Sequence, residues 1–174
     1  GSTAMVISHD DRYLYTTHSG RQILKLDALT LQIIDFITIG ENNSHPAHAI
    51  AISPDGKHLY ATSSREAEPY SSTFPTEDFV TVINTGSFTV EASVYVWQIK
   101  SSHIRVSKDG AYVYVINIRN DLVTISTLSN TVISEIPLTG LITSFGIHDN
   151  QLYSISSVYN SSDPTAPAGN LRIV

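Results

Sequence analysis

The sequence predicts an all-β fold, a β-propeller built from four-stranded antiparallel blades, on three observations. A turn-and-strand pattern recurs along the chain, its copies lie about one blade apart, and only strand patterns separate them. The copies read SHDDRYLYTT at 8–17, SPDGKHLYAT at 53–62, SKDGAYVYVI at 107–116 and a shortened HDNQLYSI at 148–155. Their tyrosines, Tyr15, Tyr60, Tyr114 and Tyr153, stand 45, 54 and 39 residues apart. Periods of about 40 to 45 residues holding strands alone are those of a propeller blade. No segment carries a helical apolar period with caps, which argues against a helical repeat.

Each copy supplies the same elements in the same order. A first strand is marked by Met5/Ile7, Ile50/Ile52, Ile104/Val106 and Phe145/Ile147. A turn follows, in which Asp55-Gly56 and Asp109-Gly110 are expected to supply the positive φ angles of a tight corner. The second strand reads LYTT, LYAT, VYVI and LYSI, and the third reads QILKLD, FVTVIN, LVTIS and LRIV. After the short turns DALTL, NTGSF and STLSN comes a fourth strand, QIIDFITI, VEASVYVW or VISEIPL. Alternating and near-continuous apolar runs fit sheets covered on both faces by neighbouring blades. The expected blades are 5–48, 49–102, 103–143 and an incomplete 144–174, about three and three-quarter blades in all. Residues 1–4, within GSTAM, read as an expression scar.

SPDGKHLYAT and its copies resemble the YVTN-type propeller repeat of bacterial surface-layer and YncE-like proteins. The core of that repeat corresponds here to YTTH, YATS, YVIN and YSIS, and PAHAIAISPDG at 46–56 resembles its lead-in strand. The resemblance covers almost the whole chain from Met5. It implies a bacterial protein in an extracellular, cell-surface or periplasmic setting. Propellers host enzymes, cofactor subunits and plain binding modules alike, so the repeat specifies fold better than activity. Lactonases and some dehydrogenase subunits are similar to it, which keeps open an enzymatic or metal- or haem-bearing alternative at the channel mouth.

A partial ring would leave apolar blade faces open, so a protein partner or a second copy is expected to complete it. Composition narrows the partners further. Hydrophobic residues make up 41% and charged residues 15%, as in a folded chain. The formal net charge is −6 and the basic residues form no run, which argues against nucleic acid. No apolar stretch reaches the roughly 18 residues needed to cross a bilayer, so membrane insertion is not expected. Without cysteine, neither a disulfide nor a thiolate metal site can form.

The two faces of the predicted propeller differ. The tight turns share one face, while the insertions at 63–78 and 156–170 and the loop ENNSHPAH at 41–48 share the other. Long loops on a rigid frame commonly carry recognition, and exposed aromatics contribute heavily to interfaces. Tyr70, Phe74 and Tyr159 are therefore candidate contact residues for a non-enzymatic binding or scaffold module. His45 and His48 form an H-x-x-H entering the second repeat, and His103 lies near the matching place in the third. All three are expected to gather near the channel mouth on the insertion-rich face, where imidazoles from adjacent blades could bind zinc, copper or haem iron, the alternative being loop histidines that are solvated or bonded to backbone. No cofactor is otherwise implied. Arg105, at an inner-strand position held elsewhere by Val6, Ala51 and Gly146, is expected to be flanked by packed blades, where a buried charge must meet a carbonyl or carboxylate, or else face an anion at the channel wall. His9, His18, His58 and His148 read as surface residues. No G-x-S-x-G elbow, H-E-x-x-H helix or phosphate-cradling glycine loop occurs, so no catalytic residue is assigned.

Overall fold

The computed structural model describes residues 4–18, 21–39, 47–63, 77–97, 99–138, 141–148, 151–157 and 170–173. These form four antiparallel sheets, each built from strands consecutive in the chain. The first holds β1 (Met5–Ile7), β2 (Tyr13–His18), β3 (Gln22–Asp27) and β4 (Ile33–Thr38). The second holds β5 (Ala47–Ile52), β6 (His58–Ser63), β7 (Glu77–Asn84) and β8 (Thr89–Trp97). The third holds β9 (Ile99–Val106), β10 (Tyr112–Asn117), β11 (Asp121–Ser126) and β12 (Thr131–Pro137). The last holds β13 (Leu141–His148), β14 (Gln151–Ser157) and β15 (Asn170–Ile173). This is the meander of a propeller blade repeated along the chain. Among the described residues no helix is long and apolar enough to cross a membrane.

Register follows the repeat. Val6, Ala51, Arg105 and Gly146 stand opposite Tyr15, Tyr60, Tyr114 and Tyr153. Because side chains alternate along a strand, the second and third sheets each turn one face to the sheet before and the other to the sheet after. Three separate apolar seams result. Tyr15 and Ile23 of the first sheet pack with Ile50, Leu59 and Ile83 of the second. Tyr60, Val80 and Val82 pack with Ile104, Val113 and Ile125 of the third. Ile116 and Leu122 pack with Phe145 and Leu152 of the fourth. The outer strands β4 and β12 are largely exposed, as expected at a propeller rim.

The corner between first and second strands is a clasp made three times over. The hydroxyls of Ser8, Ser53 and Ser107 each donate to Oδ1 of Asp10, Asp55 and Asp109 at 2.6 Å. The same hydroxyls accept the amides of Tyr13, His58 and Tyr112 at 2.9 Å. Each carboxylate also accepts the backbone amide two residues on, from Arg12, Lys57 or Ala111. These bonds stabilise the ionised carboxylates. All three aspartates are held below their ordinary pKa, chiefly by the serine hydroxyl and then by the backbone amide.

Three expectations need correction. Only one residue per corner is left-handed, namely Asp11, Gly56 and Gly110 with φ of 57°, 72° and 74°, so the aspartate of Asp-Gly serves as hydrogen-bond acceptor and not as a positive-φ residue. The inner strands also begin earlier than the expected blade starts at 49, 103 and 144. Register shifts let β5, β9 and β13 run back to Ala47, Ile99 and Leu141. His48 and His103 consequently lie within strands and not in loops. Finally, Arg105 is exposed, so the cost of burying a charge does not arise there.

Candidate functional site

In the first three blades the first-to-second and third-to-fourth turns lie side by side on one face. Ala28, Thr85 and Thr127 donate their amides to the carbonyls of Arg12, Lys57 and Ala111 across the two turns. Thr85 and Thr127 add hydroxyl bonds to the carbonyls of Gly56 and Gly110, both at 2.8 Å. Above each seam on this face a groove runs between neighbouring blades. The repeat lets the grooves be compared position by position, and they are filled very differently.

The first groove is closed by its own residues. Lys25, opposite Tyr15 on β3, places its ammonium 4.2 Å from the centre of the Tyr13 ring. The same nitrogen lies 5.6 Å from the ring centre of Phe88, the left-handed last residue of the neighbouring blade's outer turn. It reaches the Thr85 carbonyl at 3.5 Å. A cation held against two aromatic faces in this way contributes about 0.5–2 kcal/mol, depending on desolvation. Beside it His9 Nε2 meets the Ser53 carbonyl oxygen at 2.9 Å, bridging the blades.

The second groove is open. The positions of Tyr13, Lys25 and Phe88 are taken there by His58, Val82 and Asn130. Loss of the long cation and one ring leaves a cavity of about 470 Å³ between the second and third blades. Its walls include Pro54, His58, Tyr60, Val82 and Glu91 from the second blade, and Gly110, Thr127 and Asn130 from the third. Glu91 is the extra residue of the bulge on β8, which turns its carboxylate to the groove rim. That carboxylate lies 3.2 Å from His58 Nε2 and accepts Asn84 Nδ2 at 2.8 Å. The clasp carboxylates Asp55 and Asp109 line the same groove, one from each blade. Burial raises the Tyr60 phenol above its ordinary pKa, so the wall beneath them is a neutral ring. The groove thus pairs an apolar and aromatic floor with a rim of carboxylates.

A third cleft, of about 280 Å³, lies between the third and fourth blades. Tyr112, Tyr114, Leu122, Ile133, Ile136 and Leu152 line it, and none of its described lining residues is a carboxylate.

The residues singled out in the sequence fall elsewhere. Tyr70, Phe74, Tyr159 and His45 lie outside the described residues. His103 and Arg105 come together across the third seam, with the His103 ring 6.2 Å and the guanidinium carbon 5.8 Å from the centre of Phe145. Arg105 Nη1 donates to the Ile104 carbonyl at 2.8 Å. His48 is half-buried on β5. Among the described residues no three histidines, aspartates or glutamates gather in a way that could hold a metal ion. His58, read as a surface residue, instead shares the groove rim with Glu91. The signal that could have found it was present in the repeat, where a histidine replaces the tyrosine of SHDDRY and SKDGAY.

No protein-family model and no curated protein matches the chain. Solved structures do. A chain of hydrazine synthase from Kuenenia stuttgartiensis superposes with a TM-score of 0.71 at 18% identity, over 99% of this chain and 50% of that one. The WD40 repeats of RRP9 superpose with a TM-score of 0.67 at 12% identity, over 90% of this chain and 45% of theirs. The structure of U3-55K does so with 0.66 at 13%, over 90% and 46%. At such identities the likeness establishes the fold, a β-propeller, and nothing finer. The chain spans about half the length of the structures it matches.

Proposed function

We propose that this chain is a non-enzymatic binding propeller that takes up a basic side chain of a protein partner in the groove between its second and third blades. One observation carries the reading. In the first groove the equivalent space is occupied by the chain's own Lys25, held by Tyr13 and Phe88. In the second groove the lysine is gone and Glu91, Asp55 and Asp109 stand around the empty place. A lysine or arginine from outside would restore the missing contacts, with its alkyl stem on Val82 and Tyr60 and its charge at the rim.

The same reading takes the long-loop face as a second contact surface, through Tyr70, Phe74 and Tyr159. It also keeps the YVTN-type relationship and the bacterial envelope setting, both supported by the sequence pattern alone.

The test uses a short lysine-containing peptide and the same peptide with glutamate, followed by amide chemical shifts. Saturable shifts at Gly110, Thr127 and Asn130 with the lysine peptide alone are expected. Equal shifts with both peptides, or shifts with neither, would overturn the reading.

A further inference from the structure

His58 stands two residues before the repeat tyrosine of the second blade, where the first and third blades carry Tyr13 and Tyr112. In the first groove that position supplies the ring nearest the resident cation, with the Lys25 ammonium 4.2 Å from the centre of Tyr13. A tyrosine ring offers a cation a neutral, electron-rich face. A histidine ring does so only while it is unprotonated, and histidine is the side chain whose charge changes between about pH 5 and 8. The replacement of tyrosine by histidine thus falls at the one place in the groove where a proton would meet the guest's charge directly.

The groups around His58 carry the effect of that proton to the rim. Glu91 on β8 holds Oε2 3.2 Å from His58 Nε2, while its Oε1 accepts Asn84 Nδ2. The Tyr60 ring, on the same strand as His58, has its centre 6.5 Å away. Asp55 and Lys57 lie in the corner just before His58, and Asp109 reaches the groove from the third blade. The clasps hold Asp55 and Asp109 below the ordinary carboxylate range, and burial raises Tyr60, so these three keep their charge state between about pH 5 and 8. A proton on His58 puts a positive charge against Glu91 and within electrostatic reach of Asp55. That charge occupies carboxylates a guest cation needs, and it repels the guest as well.

We infer that His58 is a proton-operated gate on the second groove, admitting a basic side chain when the imidazole is neutral and releasing it when the imidazole is charged. The inference rests on the reading of this groove as a site for lysine or arginine, and adds its regulation. The first groove, with tyrosine at the same position, has no such gate.

The test titrates the whole chain with an end-blocked peptide whose only charge is one lysine, at about pH 7.5 and about pH 5.5. Amide shifts of Gly110 and Thr127 give the affinities, for wild type, H58Y and H58Q. Wild type is expected to bind about tenfold more weakly at the lower pH, where a favourable ring contact becomes a repulsion. In H58Y and H58Q the two affinities should agree within about twofold. Equal affinities in wild type would overturn the gate and leave the groove reading standing. A pH dependence kept in either variant would overturn it too, by placing the responsible proton on another group. Binding at neither pH would overturn the groove reading itself, and the gate with it.

Discussion

The ammonium of Lys25 stands 4.2 Å from the centre of the Tyr13 ring, so one blade groove is stoppered by a residue of its own sheet. Moving the stopper should move the opening. V82K places a lysine at the equivalent site of the second groove, where Tyr60 and Glu91 can receive it. Loss of lysine-peptide binding of at least tenfold is expected, with the thermal transition within a few degrees of wild type. K25V should open the first groove and cost about 0.5–1 kcal/mol, read from chemical denaturation.

The serine–aspartate clasps predict acid behaviour. Asp10, Asp55 and Asp109 have folded pKa values below the ordinary 3.8, because serine hydroxyls and backbone amides bond their ionised forms. Depressed carboxylate pKa values contribute stability above the unfolded value, and that contribution is lost as pH falls through the folded ones. The melting temperature should hold steady down to about pH 5 and drop below about pH 4. In S8A/S53A/S107A this acid limb should become shallower. A limb of unchanged slope would count against the clasps as its source.

Gly56 and Gly110 should not be equally replaceable. Both are left-handed, so an alanine at either costs about 1–2 kcal/mol. A Cβ at Gly56 would also stand 3.0 Å from His9 Cδ2, while one at Gly110 meets Pro54 Cδ at an ordinary 3.5 Å. G56A is therefore expected to be the more destabilising in urea titration, and H9A should recover the difference. At the matching corner of the first blade D11G removes the left-handed strain but keeps the clasp, and should stabilise slightly.

Asp78 sets the limit of the insertion that follows β6. It is buried and its Oδ2 accepts the amide of Ile99 at 2.6 Å, tying the second blade to the third. Replacing 64–76 by a short glycine–serine turn should leave the thermal transition nearly unchanged. D78A should lower stability by about 1–3 kcal/mol by stranding a buried donor.

Trp97, the single tryptophan, packs under the guanidinium of Arg119 at 3.9 Å from ring centre to carbon. R119A should shift its fluorescence and cost about 0.5–1 kcal/mol. An unchanged emission spectrum would show that the contact is not kept in solution.

Strand order and register were legible in the sequence because the tyrosine anchors and apolar alternation repeat with little change. That is why Arg105 could be aligned with Val6, Ala51 and Gly146, and the structure sets all four opposite a repeat tyrosine. The groove was not legible in the same way. It depends on where copies differ, at Lys25, Val82 and Phe88, and on residues such as Glu91 and Asp109 meeting across blades. A β-bulge that turns Glu91 to the rim leaves no mark in an apolar pattern. His48 and His103 drew attention from their matching places ahead of two inner strands, yet both are strand residues, because the inner strands continue past their bulges.

The seams are disjoint, each fastening only one sheet to the next. Neighbour-only coupling of this kind lets a molecule come undone from its margins inward. β6, β7, β9 and β10, which share the widest of the three seams, should exchange their amide hydrogens last, and β14 and β15 first. A row of blades of this construction resembles a zip fastener, with its firmest teeth in the middle.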